Sequence, residues 1–350
     1  MKIIKIVGIL AALTAVVFGA FAFWTYRSVS APVEHDKSEV YITVAKGQSP
    51  SRILSDLEDK GVINNAFTAS IYLRLSGRSA NLQAGEYKFK NPISLLEVIE
   101  ELENGKARAK TLTIPEGWTR YEIAKRVAAN FGSDPPMDEK AVLYLMSDTS
   151  LIKDIDPQAD NLEGYLYPTT YEFGLDATPQ DAIKRMVEQF RKTWKPEWSQ
   201  RAREMGLTNR QVVTIASLIE NESKYQKERR LVSSVIHNRL KRGMALGIDA
   251  TNVYIAKMLG RWDGVINKSD VEINHPYNTR KIQGLPPGPI SSASESSLEA
   301  ALNPEQTEYL FYVLDVDKND GSHSFFASAA AFERGKAKYQ RWLAEQRKKK

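Results

Sequence analysis

Residues Leu207–Ser223 read LTNRQVVTIASLIENES, and their spacing decides how the fold is read. Thr208 is a good N-cap residue, and Gln211 three positions on completes a capping-box pattern. Leu207 and Val212 are placed to close over it as a hydrophobic staple. Val212, Ile215 and Ile219 recur at helical spacing, and the next position on that stripe is Glu222. The stretch predicts a helix that ends by carrying a carboxylate toward the core. A glutamate there costs free energy unless it is paired, protonated or open to a cleft. Burial also raises its pKa toward the range in which a carboxylic acid protonates a leaving group at neutral pH. Lys224, Lys227 and Arg229 follow closely and allow a plain ion-pair reading of the same residue. Glu220 lies about 200° round the helix from Glu222, on a weaker apolar stripe with Asn209, Val213 and Ala216. The two side chains point apart and cannot act as an acid/base pair across one bond.

Beyond this helix, Lys227–Arg242 (KERRLVSSVIHNRLKR) is amphipathic, turning Leu231, Val232, Val235, Ile236 and Leu240 inward, with Gly243 closing it. His237 falls among Ser233, Ser234 and Lys241 and reads as structural, on an exposed face. Three loop segments follow: the polar turn at Gly247–Tyr254, the turn signature His275-Pro276-Tyr277-Asn278-Thr279, and the stiff loop Gly284-Leu285-Pro286-Pro287-Gly288-Pro289-Ile290. A rigid loop has little entropy left to lose and suits a cleft wall. Strands at Tyr309–Val316 and Ser322–Ala327, joined through Asn319-Asp320-Gly321, read as a hairpin.

On the N-terminal side, Val40–Ala45 alternates like a strand, and Gly47-Gln48-Ser49-Pro50 supplies a turn, an N-cap and a first helical residue. Helices to about Lys60 and over Ala66–Leu75, a strand over Ala84–Lys90 and a helix over Ser94–Asn104 complete a β-α-α-β module with a trailing helix. A weak repeat at an offset of 70 residues sets Val44, Gly47, Ser49, Ile53 and Leu57 against Ile114, Gly117, Thr119, Ile123 and Val127. Duplication and shared strand-turn-helix grammar both account for it. Asp134-Pro135-Pro136 breaks the pattern, and a mainly helical region runs to Gly206. Within it, Glu163–Tyr171 (EGYLYPTTY) is aromatic-dense and cannot be a regular helix across Pro168. Tyrosines interleaved in this way, Tyr167 among them, stack on sugar rings or pack a core.

The chain has 350 residues, no cysteine, and 48 Lys plus Arg against 43 Asp plus Glu, a formal net charge of +5. Disulfides, thiolate metal sites and cysteine nucleophiles are excluded. The mild positive excess suits an anionic polymer or a membrane surface and is too diffuse to argue for nucleic acid. Lys2 and Lys5 precede an uncharged run from Ile6 to Tyr26, long enough to cross a bilayer at the ~20 residues required. Trp24 and Tyr26 sit where an aromatic belt lies. Ala20-Phe21-Ala22 resembles a signal-cleavage site, but the run exceeds a usual signal core, which favours a retained single-pass anchor. The terminal lysines keep that end cytoplasmic and place the rest outside. The expected organisation is an anchor over 1–27, a linker over 28–39, the module over 40–106, an intermediate region over 107–206, a helix-borne glutamate in a mixed domain over 207–345, and a basic tail over 346–350.

Several motifs fail on inspection. Asp315–Gly321 imitates a calcium loop, but its glycine falls one place late and Phe326 stands where a bidentate glutamate belongs. His35, His237, His275 and His323 show no zinc spacing, and no HExxH motif is present. No GxSxG elbow, P-loop or dinucleotide fingerprint appears. No metal and no cofactor is expected.

The ordered set IENES, ERRLVSSVIHNRLKRGMAL, Ile248-Asp249 with Thr251 and Val253-Tyr254, Tyr277-Asn278-Thr279, GLPPGPI and His323-Ser324-Phe325 closely resembles the membrane-anchored endolytic peptidoglycan transglycosylases, the MltG or YceG-like family. LEGYLYPTTYEF resembles that family's upstream motif. The resemblance covers nearly the whole chain. It implies an α+β fold with an N-terminal transmembrane helix, a module similar to the wall-binding LysM fold and a mixed α/β catalytic domain.

Matched residue by residue, the family's catalytic glutamate falls on Glu222. Glu220, Glu163, Tyr167, Asp249, Tyr254, Tyr277, Asn278, Thr279, Leu285, Pro286 and His323 become the candidates for gripping the glycan strand. Tyr277, Asn278 and the Gly284–Ile290 loop are expected to wall the cleft around Glu222. The implied setting is a bacterial inner membrane with the catalytic domain in the periplasm, peptidoglycan strands as substrate and peptidoglycan synthases as the partner class. Departures occur at Gly247 and Ala250, where the family shows Gln and the proline of an Asp-Pro pair, and at Thr169, where it shows Asp. They bear on substrate grip.

The implied reaction breaks the bond between muramic acid and glucosamine, closes a 1,6-anhydro ring and ends strand elongation. One carboxylate suffices, first as acid and then as base toward the sugar's own hydroxyl, because intramolecular attack has a very high effective molarity. A hydrolytic muramidase using Glu222 with Asp249, or a non-enzymatic wall-binding anchor, are the competing readings.

Overall fold

The computed structural model describes residues 16, 19–20, 23–45, 47–104, 110–131, 137–174 and 177–349. They form two compact units, Met1–Thr111 with Glu172–Asp176, and Leu112–Tyr171 with Ala177–Lys350. The fold is mixed α+β, with helices dominant and, among the described residues, strands only in two-stranded pairings. No helix among those residues is long and apolar enough to cross a membrane. Most of the run from Ile6 to Tyr26, like the break at Asp134-Pro135-Pro136, lies outside them.

In the first unit, strand β2 (Ile42–Val44) pairs antiparallel with β3 (Gly85–Tyr87), Ile42 facing Tyr87. Helices α1 (Pro50–Asp59) and α2 (Ala66–Ser76) lie between them in sequence, so the β-α-α-β order holds. Ser49 caps α1 by accepting from the Arg52 amide, and Asn65 caps α2 from the Thr68 amide at 2.7 Å, each satisfying an orphan donor of the first turn. Leu54, Leu57, Tyr87, Phe89 and Leu102 fill the core. The unit begins earlier than expected. β1 (Pro32–Val33) pairs with β4 (Ile93–Ser94), Val29 is fully buried, and the His35 amide donates to Asn91 Oδ1 at 2.9 Å. Residues 28–39 are therefore integrated chain rather than a free linker, because their backbone groups find partners 55 or more residues away.

The second unit is built round α8 (Asn209–Glu222), with Thr208 and Gln211 forming the reciprocal capping box. Val212 through Ile219 are all buried, so the face bearing Val213 and Ala216 is as enclosed as the other. A helix apolar all round belongs inside a domain. Helices α7 (Pro196–Glu204), α9 (Gln226–Lys241), α10 (Asp249–Met258) and α12 (Glu295–Leu302) pack against it. Its polar side chains are paid for locally: Thr214 Oγ1 donates to Arg210 O at 2.8 Å and Ser217 Oγ to Thr214 O at 2.8 Å. Burying Val212, Ile215, Leu218 and Ile219 at ~1.5–3 kcal/mol each outweighs the several kcal/mol of holding a carboxylate at the helix end.

Of the region expected to stand apart at 107–206, Leu112–Tyr171 and the stretch from Ala177 on fall in this unit, whereas Glu172–Asp176 fall in the first. Gly117 N donates to Ser292 O, and Ser292 N to Trp118 O, both at 2.8 Å. The capping box of Thr119 and Glu122 is present at the start of α4 (Arg120–Phe131). Gly47 and Gly117 share positive φ, +80° and +75°, and both strand-turn-helix copies bury their matched apolar residues. Their strands pair differently, β2 with β3 but β5 (Lys110–Thr113) with β6 (Thr170–Phe173), so the likeness is confined to strand, turn and helix. The hairpin β7 (Phe311–Leu314) and β8 (His323–Phe326) pairs Tyr312 with Phe325 and Leu314 with His323. The last helix, α13 (Ala329–Lys349), includes Arg347 and Lys348 of the expected basic tail.

Candidate active site

Glu222 closes α8, with Ser223 leaving the helix in extended conformation. Its Oε2 accepts a 2.5 Å hydrogen bond from Tyr312 Oη. Burial pushes the Glu222 carboxyl above the usual range, and the charge of Asp249 pushes the same way. The Tyr312 hydroxyl, His323 and Arg239 pull it back. Burial, then Glu222, holds the Tyr312 phenol well above its ordinary pKa, so it remains a donor. The pair is a protonatable carboxyl with a fixed hydrogen-bond partner, as a general acid requires.

Tyr312 and His323 reach the site because of strand alternation. The register puts Tyr312, Leu314, His323 and Phe325 on one face of the hairpin. The opposite face, with Val313 and Phe326, meets α13 so closely that a Cβ at Gly335 would lie 2.7 Å from Phe326. Arg239 ties the pieces together: Nε donates to Leu310 O at 2.6 Å, beside the hairpin, and Nη1 to Leu246 O at 2.5 Å, before the turn that delivers Asp249. Gly247 in that turn has φ +60°, a conformation glycine adopts without the steric cost that a side chain carries.

Asp249 is half exposed and ion-paired with Arg280, Nε to Oδ1 at 2.7 Å. Thr279 prepares this pair. Its Oγ1 accepts from Ile248 N at 2.9 Å and its carbonyl from Gly247 N at 2.9 Å. Thr279 and Asn278 are themselves fully buried, and Asn278 Nδ2 donates to Val271 O and Ile273 O. Their side chains hold a turn and do not present themselves to a polymer.

The other sequence candidates divide by burial. Glu220 is 4% exposed and salt-bridged to Arg229 at 2.7 Å. Its second oxygen accepts from Ser294 N at 2.8 Å and Ser294 Oγ at 2.6 Å. It is a pinned structural carboxylate, on a face the sequence made look weak. Glu163 is 3% exposed and accepts from Arg120 N through both oxygens, at 3.0 and 3.1 Å, across the start of α4. Burial raises it to about 7. Tyr254 is 2% exposed and sits between Tyr121 and Tyr277, ring centroids 6.1 and 5.0 Å away. Tyr167 is half-buried, its carbonyl accepting from Tyr171 Oη at 2.6 Å. His237, expected on an exposed face, is packed, with Nε2 2.9 Å from Ala301 O and its pKa lowered by burial.

The proline loop does not wall Glu222. It runs along α8 from the far end: Arg210 Nε donates to Pro287 O at 2.8 Å, Ile290 N to Ser217 Oγ at 3.0 Å, and Asn221 Nδ2 to Ser291 Oγ at 2.7 Å. Tyr277 lies by the Arg210 end, where a Cβ at Gly288 would meet Arg210 Nη2 at 2.9 Å and Tyr277 Oη at 3.2 Å. At 1.5 Å rise per residue, that end is roughly 18 Å from Glu222. Pro286 is buried and Leu285 half-buried. Gly164, at φ +83°, lets Pro289 approach to where a Cβ would be 2.5 Å away. The loop is a clamp on α8. A cavity of about 640 Å³ elsewhere in this unit, lined by Tyr144, Leu151, Leu162 and Ile183 among others, includes none of the residues round Glu222. Among the described residues no cluster of His, Asp and Glu is arranged to hold a metal ion.

Residues 42–338 match the YceG-like family. The chain is similar to the endolytic murein transglycosylase of Bacillus subtilis (strain 168), 32% identical over 344 residues, covering 93% of this chain and 91% of that protein. It is 29% identical over 323 residues to the endolytic murein transglycosylase of Streptococcus pneumoniae serotype 2 (strain D39), covering 85% of this chain and 58% of the pneumococcal one. A crystal structure of a yceG-like protein from Listeria monocytogenes superposes with a TM-score of 0.57 at 33% identity, covering 85% of this chain and 99% of that one. With most of its length matched, this chain belongs to the YceG-like family.

Proposed function

We propose that the chain is an endolytic peptidoglycan transglycosylase, with Glu222 as the acid that protonates the oxygen linking muramic acid to glucosamine. The observation that carries this is the Glu222 carboxyl, raised by burial and held by Tyr312 Oη at 2.5 Å. An acid poised in this way releases its proton as the C1–O4 bond breaks, and the tyrosine hydroxyl and Arg239 stabilise the carboxylate that forms. The C6 hydroxyl of the muramic sugar then attacks C1, and the 1,6-anhydro end leaves the strand terminated. The relatives' names support the substrate class.

Asp249, the second carboxylate acting on Glu222, is the residue a muramidase would use. Its pairing with Arg280 favours an electrostatic role over activation of water. Mass spectrometry of digested glycan strands separates the two: anhydro-muramic ends support the transglycosylase, and reducing ends alone exclude it.

The chain works from the outer face of a bacterial inner membrane, anchored by Ile6–Tyr26, with the first unit as a LysM-like hold on the wall and a peptidoglycan synthase as partner. Retention of full-length protein in membranes after carbonate washing, with the remainder open to external protease, is the expected result. Release as a shorter soluble chain would overturn the anchor.

A further inference from the structure

His323 makes contacts that a hairpin residue does not need. Its backbone N–H donates to Glu228 Oε1 at 2.9 Å, and its ring Nδ1 lies 2.9 Å from Glu228 Oε2. Glu228 is itself buried, on α9. A carboxylate has only acceptor sites, so in this contact Nδ1 is the donor, and Nε2 is the ring nitrogen left to accept a proton. Two bonds from one carboxylate to one residue fix both the tautomer and the ring plane, the arrangement by which a histidine is oriented for proton transfer. The ring stands edge-on to Tyr312, centroids 5.4 Å apart, and Tyr312 is the residue bonded to Glu222. Phe325 covers another side at 6.4 Å. His323 is 18% exposed at its side chain, so the ring is mostly enclosed yet still open to a ligand.

We infer that His323, oriented by Glu228, is the base that takes the proton of the C6 hydroxyl during ring closure, while Glu222 serves as the acid toward the leaving oxygen. This rests on the transglycosylase reading above and divides between two residues the two tasks that one carboxylate would otherwise perform in turn. The balance is complete. The C1–O4 bond breaks, its electron pair goes to O4, and O4 takes the proton of Glu222. The O6–C1 bond forms, and the O6 proton goes to Nε2 of His323. Exchange with solvent then deprotonates His323 and reprotonates Glu222, with no other reactant consumed. The division suits the geometry. After donating, Glu222 Oε2 is still engaged by Tyr312, whereas His323, on the same face of the hairpin as Tyr312, has one ring nitrogen left over from its contact with Glu228.

The test uses the full-length chain in detergent and purified uncrosslinked glycan strands, reading both the cleavage rate and the ratio of anhydro to reducing muramic ends. Wild type is expected to give anhydro ends. His323→Gln is expected to lose about 10²–10⁴-fold in rate, with residual cleavage shifted toward reducing ends because water then competes with an unactivated hydroxyl. Glu228→Gln is expected to show a smaller loss with the same shift. A fall in rate with an unchanged product ratio would make His323 a support of the hairpin and overturn the inference, as would a wild-type rate. If His323→Gln does not fold by circular dichroism, Glu228→Gln decides alone, and an unchanged ratio there overturns it equally. Reducing ends from the wild type would instead sink the transglycosylase reading itself.

Discussion

Replacing Tyr312 by Phe isolates the hydrogen bond that the proposed mechanism uses to tune Glu222 as an acid. The ring, with its contacts to His323 at 5.4 Å and Phe325 at 5.8 Å, stays in place, and only the hydroxyl 2.5 Å from Glu222 Oε2 is lost. A hydrogen bond to a charged group contributes about 1.5–3 kcal/mol, and one pKa unit corresponds to about 1.4 kcal/mol. The hydroxyl stabilises the carboxylate, so its removal raises the Glu222 pKa further. On the proposed mechanism the acid form is the active one, and activity is lost as pH rises through its pKa. The alkaline limb of the kcat profile therefore moves up. The rate on the plateau falls about 10–150-fold, because the carboxylate formed in the transition state loses its donor. Strand cleavage followed across pH measures both. An alkaline limb that stays put or moves down, or an undiminished plateau rate, would refute this account of Tyr312.

Two further predictions concern stability. Glu163 is held at about 7 by burial, against an ordinary value near 4.5, so its folded state binds the proton more tightly than the unfolded chain. The stability contributed by the neutral form is present below about pH 4.5 and lost as pH rises through about 7. Glu163→Gln, lacking this titration, should gain on wild type across that window by on the order of 3 kcal/mol, read as a pH-dependent difference in Tm; a constant difference counts against it. Glu220→Gln removes one partner of a buried ion pair with Arg229, a change that costs up to about 3–5 kcal/mol. Glu116, 3.5 Å from the same guanidinium, offsets part of it. Thermal melting should show a clear fall, while cleavage at a temperature where the protein remains folded falls far less than in the Glu222 variant.

What was legible in the sequence was local. The capping box of Thr208 and Gln211, the stripe ending at Glu222 and the turn at Asn319–Gly321 each lie within a few residues, where propensity and periodicity act directly. The hairpin appears as expected, and Asn319 takes φ +47° at its turn. The partners of Glu222 were not legible, because Tyr312 is 90 residues away and nothing local says which strand face meets which helix. Alternation did offer one signal: Tyr312 shares its hairpin face with His323, already singled out by its motif. The proline loop was misplaced for a similar reason. Stiffness marks a segment whose position matters, but not what it touches, and here Pro287 through Ser291 clamp α8 from the Arg210 end to Asn221. Asn278 and Thr279 belong with it, polar residues used to fix a buried turn. Glu220 misled through its neighbours, since Val213 and Ala216 look weakly apolar but are fully enclosed.

The central claim is that Glu222 is the acid that breaks the glycan strand, and Glu222→Gln tests it most directly. The amide keeps the shape and can still accept from Tyr312, but it has no proton to give. Mass-spectrometric counting of anhydro-muramic ends released per unit time should show a loss at or above the ~10²–10⁴-fold typical of a general acid, with folding and strand binding retained. A folded Glu222→Gln protein that releases anhydro ends at the wild-type rate would contradict the assignment.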